Sequence, residues 1–396
     1  MRRPGARRGW ATVALAVVLA GCAAPARDPL VAQSILDVDS QAAFTEAREA
    51  RRLEVIEQVL DRAARIARGE TADDTFDLLL LSGGADWGAF GAGYLARWHE
   101  LGADAAIPMP EFDLVAGIST GALIGTYVAA GTPERYAGIE TFYRATDPGW
   151  VVFPGIGRLL PRSQAVFDNT GIRREVAQAV DDRLLAELRS TRDTDRLVLA
   201  LTTNLDFGRL QVFDMGAEAT RPEPHERIVD VLMAATAIPG AFAPVEIDGH
   251  LHADGGAVQG VPGIDPTRLP ELADRWAERH PNERLPLIRF WFVFNNQLGL
   301  QPEPIRPSWF GVMFRSYQTI SQTSFRAPVQ TSVLAAKGAE ATGAPPSEVR
   351  WIAIPETFVP VTGGRPFDPR ITNALADLGR AVAEAPDGGW RSDFPR

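Results

Sequence analysis

An apolar run that stops at a Gly-x-Ser-x-Gly turn and resumes as a small-residue helix leaves a chain few choices of fold. Phe112-Asp113-Leu114-Val115-Ala116 reads as a short strand, Gly117-Ile118-Ser119-Thr120-Gly121 as the turn, and Ala122-Leu123-Ile124-Gly125 as the opening of a helix. A strand feeding a helix through so sharp a turn belongs to an α/β sheet, and the serine at its apex has its hydroxyl lifted clear of the strand. Gly117 and Gly121 flank Ser119 because a Cβ two positions to either side would crowd the turn. The turn alone is a weak functional signal, so the weight falls on whether Ser119 has partners.

The amino end reads as a targeting segment. Arg2, Arg3, Arg7 and Arg8 precede an apolar run from Trp10 to Ala20, too short to span a bilayer as a mature helix. Leu19-Ala20-Gly21-Cys22 follows, and Cys22 is the only cysteine. This resembles a bacterial lipobox, which makes residues 1–21 a lipoprotein signal peptide and Cys22 the lipidated first residue of the mature chain. A lone cysteine cannot form an internal disulfide. Two or three acyl chains would hold the protein in the cell envelope, facing the periplasm from the outer membrane. The formal net charge of −10 argues against nucleic acid as a partner and against electrostatic docking on anionic lipid. Oligomeric state is not legible.

Residues 22–75 read as a tether, to about Ser40, and then an amphipathic helix from Gln41 to Gly69 carrying Phe44, Leu53, Ile56, Leu60 and Ile66 at helical spacing. The core, 76–266, opens on Phe76-Asp77-Leu78-Leu79-Leu80-Leu81, a run suited to a strand buried on both faces. It enters the glycine loop Ser82-Gly83-Gly84-Ala85-Asp86-Trp87-Gly88. Beyond the elbow come a looser stretch from Trp150 to Pro161, a helix from Ile172 to Arg189, and strands at Leu197–Asn204 and Leu210–Phe213. A helix from Ile228 to Ala237 and a hairpin from Val245 to Gly256 complete the core. Residues 267–396 carry further helices and strands with no linker before them, so they read as a C-terminal extension of the same layers. Within it Trp309, Phe310, Met313, Phe314, Tyr317 and Ile320 form an apolar helical stripe, read as packing against a core.

A nucleophilic serine needs a base and oxyanion donors. Gly83, Gly84 and Ala85 leave a strand directly, so their backbone N–H groups can close on a substrate oxygen, and the helix starting near Gly88 adds its positive end. No Gly-Lys-Ser/Thr follows, which argues against a nucleotide phosphate loop. Of the five histidines, none follows a late strand in the order an ordinary α/β-hydrolase triad needs. His252 is the best placed of them. Asp254, next to Gly255 and Gly256, is the stronger partner, although alone it would read as a hairpin-turn aspartate.

The succession of Gly83–Gly88, Gly117–Gly121 and Asp254-Gly255-Gly256 resembles the patatin-like phospholipases, and Ala235-Thr236-Ala237-Ile238-Pro239-Gly240-Ala241-Phe242 adds to the match. The resemblance covers residues 76 to 265. It implies a three-layer α/β fold with a mainly parallel central sheet and helices on both faces. It also implies a Ser119–Asp254 dyad without histidine, an oxyanion hole at Gly83, Gly84 and Ala85, and hydrolysis of lipid acyl esters without a metal or cofactor. Two departures stand out. Ala85 and Trp87 replace a glycine and a basic residue usual in that loop, and Gly260 stands where an asparagine is common. An alanine at 85 is expected to keep the hole only with a negative φ. The alternatives are an esterase or thioesterase assisted by His252, and a lipid-binding lipoprotein without catalysis.

Overall fold

Four leucines in a row, Leu78 to Leu81, are buried because the strand holding them lies in the middle of the sheet with layers on both faces. The computed structural model describes residues 27–159, 163–263, 268–299, 302, 304, 305, 307–342, 345–359 and 365–393. Cys22 and the leader lie outside them. The strands are β1 (Thr75–Leu81), β2 (Leu114–Ile118), β3 (Leu197–Asn204), β4 (Arg209–Asp214), β5 (Val245–Ile247), β6 (His250–Asp254), β7 (Leu287–Phe294) and β8 (Ser347–Ala353). They form one sheet in the order β5-β6-β3-β2-β1-β7-β8, with β4 also paired to β3. The ladders β3–β2, β2–β1, β1–β7 and β7–β8 are parallel.

Side chains alternate between the two faces of each central strand. Leu79, Leu81, Trp291 and Val293 point to one layer, built on the helices Gly88–Leu101 and Pro369–Ala383, with Phe90, Tyr94, Trp98 and Leu375 at its centre. Leu78, Leu80, Phe290 and Phe292 point to the other, built on Val38–Ala67 and Trp309–Thr342, with Leu60 and Val329. A third cluster packs helix Pro224–Ala235 against Val198, Ala200 and Phe213. Each fully buried Leu or Phe side chain contributes about 1.5–3 kcal/mol, so these layers define the three-layer α/β arrangement.

Residues beyond 266 are integral to the sheet, because β7 inserts directly beside β1. At the amino ends of the parallel strands, Arg62 donates to Asp113 at 2.6 Å and the Asp77 N–H donates to Asp113 at 2.7 Å. Arg289 holds Asp77 through two bonds, at 2.8 and 2.7 Å. Burial pushes the Asp113 carboxyl up to about 6 against these partners. This charged cluster ties helix Val38–Ala67 to the end of the sheet opposite Ser119.

Several expectations need correction. The tether to Ser40 contains a helix, Pro29–Leu36, started by Asp28 accepting from the Leu30 N–H, and Val38 already opens the next helix. The expected helix 172–189 is two, Thr170–Ala179 and Asp182–Asp193. Asp181 caps the second by accepting from Leu184 N, an N-cap signal inside the apolar period. Helix Pro133–Arg144, absent from the expected elements, has proline at its first position. Of the apolar stripe, Ile320 is exposed rather than packed in a core. The other five stripe side chains lie outside the described ones.

Candidate active site

Ser119 ends β2 and caps helix Thr120–Val128, with φ +55° and ψ −127°. A non-glycine residue held there stores about 1–3 kcal/mol of strain. The surroundings enforce it: a Cβ on Gly117 would run into the Gly121 carbonyl, and one on Gly121 into the Leu81 carbonyl. The elbow is therefore wedged between its own helix and the end of β1.

Asp254 reaches the serine through the edge of β3. Residues Leu199 to Asn204 pair with β4 along one edge of that strand. The opposite edge is shared. β2 occupies it up to Ile118, opposite Leu201, and β6 takes over at the next residue, with Asp254 opposite Thr202. The carboxyl ends of β2 and β6 thus meet head to head, which sets the Ser119 hydroxyl beside the Asp254 carboxylate, where it lowers that carboxyl's pKa. Gly255 fits at the junction because a Cβ there would lie 2.7 Å from the Leu201 carbonyl and 3.3 Å from Ile118.

The carboxylate is fixed from several sides. One oxygen accepts from the Gly256 N–H at 2.7 Å, the Asp254 N–H donates to the Ala237 carbonyl at 2.9 Å, and the Thr203 hydroxyl donates to the Asp254 carbonyl at 2.9 Å. Ala237 belongs to the Ala235–Phe242 motif, which gives that motif a physical role. Burial pushes the Asp254 carboxyl up to about 6, opposed by the nearby Ser119 hydroxyl and the Gly256 N–H. Ser119 and Asp254 are both buried.

His252 lies on the same face of β6 as Asp254 but one repeat earlier, about 7 Å back along the strand. Its Nδ1 is bonded to the Thr202 hydroxyl at 2.9 Å and its ring packs edge-on against Phe213. Burial lowers it to about 4. Among the described residues no histidine bonds Ser119.

The glycine loop is where sequence and structure part. The Gly83 N–H donates to the Gly260 carbonyl at 3.0 Å, so this donor is already engaged. Among the described residues no acceptor takes the N–H of Gly84 or Ala85. Ala85 has φ +52°, not the negative value expected, and opens a 3-10 turn in which the Trp87 N–H donates to the Gly84 carbonyl at 3.0 Å. The sign of φ sets what the conformation costs an alanine, about 1–2 kcal/mol, and does not remove its N–H.

Residues that sequence reading missed hold this loop. Asn295, just past β7, donates from its side chain to the Ser82 carbonyl at 2.9 Å and accepts from the Gly91 N–H at 3.1 Å. Asn296 donates to the Gly83 carbonyl at 3.1 Å, and Asp86 accepts from the Phe367 N–H at 2.9 Å. Two asparagines ending a buried strand were the available signal. Trp87 is half-buried with its ring edge-on to Phe358. A side chain at 260 would strike the Phe325 ring, which explains glycine where an asparagine is common.

A strained strand-to-helix serine faces a buried aspartate at the carboxyl ends of a mostly parallel sheet, and the fold is of the α/β class. Residues 79–263 match the family model described as patatin-like phospholipase, and this part of the chain is a patatin-like phospholipase domain. That membership supports lipid acyl hydrolysis in general terms. A curated relative, the cGAMP-activated phospholipase of Pseudomonas aeruginosa, is 28% identical over 202 residues, covering 49% of this chain and 56% of that protein. The chain thus spans about half the length of the curated relative it matches. The crystal structure of VipD from Legionella pneumophila aligns over 81% of this chain and 68% of its own at 12% identity, with a TM-score of 0.35. At that level the likeness carries no argument.

Proposed function

We propose that the protein hydrolyses acyl esters of phospholipids or lysophospholipids, with Ser119 as nucleophile and Asp254 as its base. The observation that carries this is the meeting of Ser119 with the buried Asp254 carboxylate where β2 and β6 end against one edge of β3. Ser119 Oγ attacks the acyl carbonyl carbon as Asp254 takes its proton. The tetrahedral oxyanion faces the N–H groups of Gly84 and Ala85, each such donor being worth about 3–4 kcal/mol of transition-state stabilisation. Collapse breaks the ester bond, and the departing alcohol takes the proton from Asp254. Water then attacks the acyl-serine, gives its proton to Asp254, and releases the fatty acid as the serine recovers its hydrogen. The ionised carboxylate is the working form, so the rate should climb through about pH 6.

The relative's printed activity supports phospholipid as the ester class. Cys22 would hold the enzyme on the bilayer as a lipoprotein of the bacterial envelope. The test is fluorophosphonate labelling together with turnover of short and long acyl esters by the full chain and by Ser119→Ala. Labelling and turnover confined to the serine form are expected. Equal turnover by both proteins would remove Ser119 from the mechanism, and absence of labelling would favour a lipid-binding protein without catalysis.

A further inference from the structure

The amino-terminal segment is fastened at one particular place. Arg27 pairs with Asp206 and donates to the Gly249 carbonyl at 3.0 Å. Asp206 lies in the turn leaving β3, and Gly249 in the turn joining β5 to β6. Asn204 pairs with His252, two residues beyond the level at which Thr202 meets Asp254, so both turns project past the end of the sheet that holds Ser119. Phe44 stacks flat on Phe207 of the same turn, with ring centroids 3.7 Å apart. From there helix Val38–Ala67 runs to the opposite end of the sheet, where Arg62 binds Asp113.

Between Arg27 and Phe44 lies helix Pro29–Leu36, which has no ionisable side chain and no buried residue. Leu30, Leu36 and the following Val38 are each 76% exposed. Three large apolar side chains left this exposed within one short stretch mark an interaction surface. The chain from Cys22 to Arg27 can reach at most about 18 Å, so an acyl chain on Cys22 would bring this helix to the bilayer.

We infer that helix Pro29–Leu36 lies on a neutral lipid bilayer surface and that the Arg27–Asp206 clamp turns the Ser119 end of the sheet toward that bilayer. This rests on the lipid anchor at Cys22 proposed above. The helix itself carries no charge, its caps Asp28 and Asp37 and the chain as a whole are negative, and a neutral bilayer offers no fixed charge to either, so the attachment is apolar and indifferent to salt.

The full lipidated chain, reconstituted in phosphatidylcholine vesicles containing spin-labelled lipid, tests it. Cys22 is the only cysteine, and once lipidated it has no free thiol, so Leu36→Cys, Leu205→Cys and Glu70→Cys each take a thiol-reactive fluorophore at one site. Uptake of label by the wild type would overturn the anchor and the inference with it; with the wild type unlabelled, the vesicle measurement judges docking alone. Glu70 lies beyond the far end of a helix about 45 Å long. Position 36 should be quenched about fivefold more than position 70, with position 205 between them, and equally in salt near 1 M, where screening shortens to about 3 Å. Quenching at 36 no greater than at 70 would overturn the docking, as would a blue-shifted but unquenched label, which would mean that another protein surface covers the helix. Arg27→Ala combined with Phe44→Ala, which removes the second contact to the same turn, should lower quenching at 205 to the level at 70 while leaving 36 unchanged; unchanged quenching at 205 would overturn the clamp.

Discussion

Replacing Asp254 by asparagine should make the protein more stable and nearly inactive at once. In the unfolded chain the carboxyl ionises near 3.8, and in the folded protein near 6. Between those values the folded protein keeps a proton that the unfolded chain has released, so stability falls as pH rises through that window. Above about pH 6 the whole penalty is present; below the unfolded value it vanishes. A displacement of about two units corresponds to about 3 kcal/mol. Asparagine keeps an acceptor for the Gly256 N–H and fills the same space, so the charge is the main change. The assay is urea unfolding followed by tryptophan fluorescence at pH 8, 6 and 4. Asp254→Asn should exceed the wild type by about 2–3 kcal/mol at pH 8, with the advantage shrinking to nothing near pH 4. Asp113 also titrates near 6 but cancels, being present in both proteins. Turnover should fall by about 10²–10⁴-fold with the base removed. Matching urea midpoints at pH 8 would refute the reasoning, since the carboxylate would then carry no burial penalty.

Three further outcomes follow from the same geometry. Ser119→Gly relieves the left-handed backbone at the elbow and should raise stability by about 1–2 kcal/mol while abolishing fluorophosphonate labelling; a lower melting temperature would show that the turn is unstrained. Ala85→Gly should gain about 1 kcal/mol and keep ester turnover, and a marked loss of turnover would mean the alanine methyl positions the donors. His252→Gln should leave turnover within about threefold and the pH–rate midpoint near 6, because His252 is bonded to Thr202 and stands outside the proposed dyad. A hundredfold loss would restore a histidine-assisted mechanism.

Much of the frame was legible because local patterns caused it. The apolar run at Leu78–Leu81 announced a two-sided buried strand, and Gly117 and Gly121 announced a turn that only small residues permit. Helices Pro133–Arg144 and Pro29–Leu36 start at prolines, and the break at Asp181 comes from a capping aspartate, signals that the apolar period does not carry. A side chain's local hydrogen bond can end a helix even where the apolar period runs on.

The sequence by itself determined most of the elements, the elbow that presents Ser119, and the order of the three motifs, since these depend on near neighbours in the chain. Only the tertiary structure decided which acid meets the serine. β2 and β6 end nose to nose because both use one edge of β3, and no local spacing encodes that shared edge. Tertiary packing likewise spent the Gly83 N–H on the Gly260 carbonyl and seated Asn295 and Asn296 under the glycine loop. Backbone donors look alike in sequence, and what each one faces is settled only when distant strands come together.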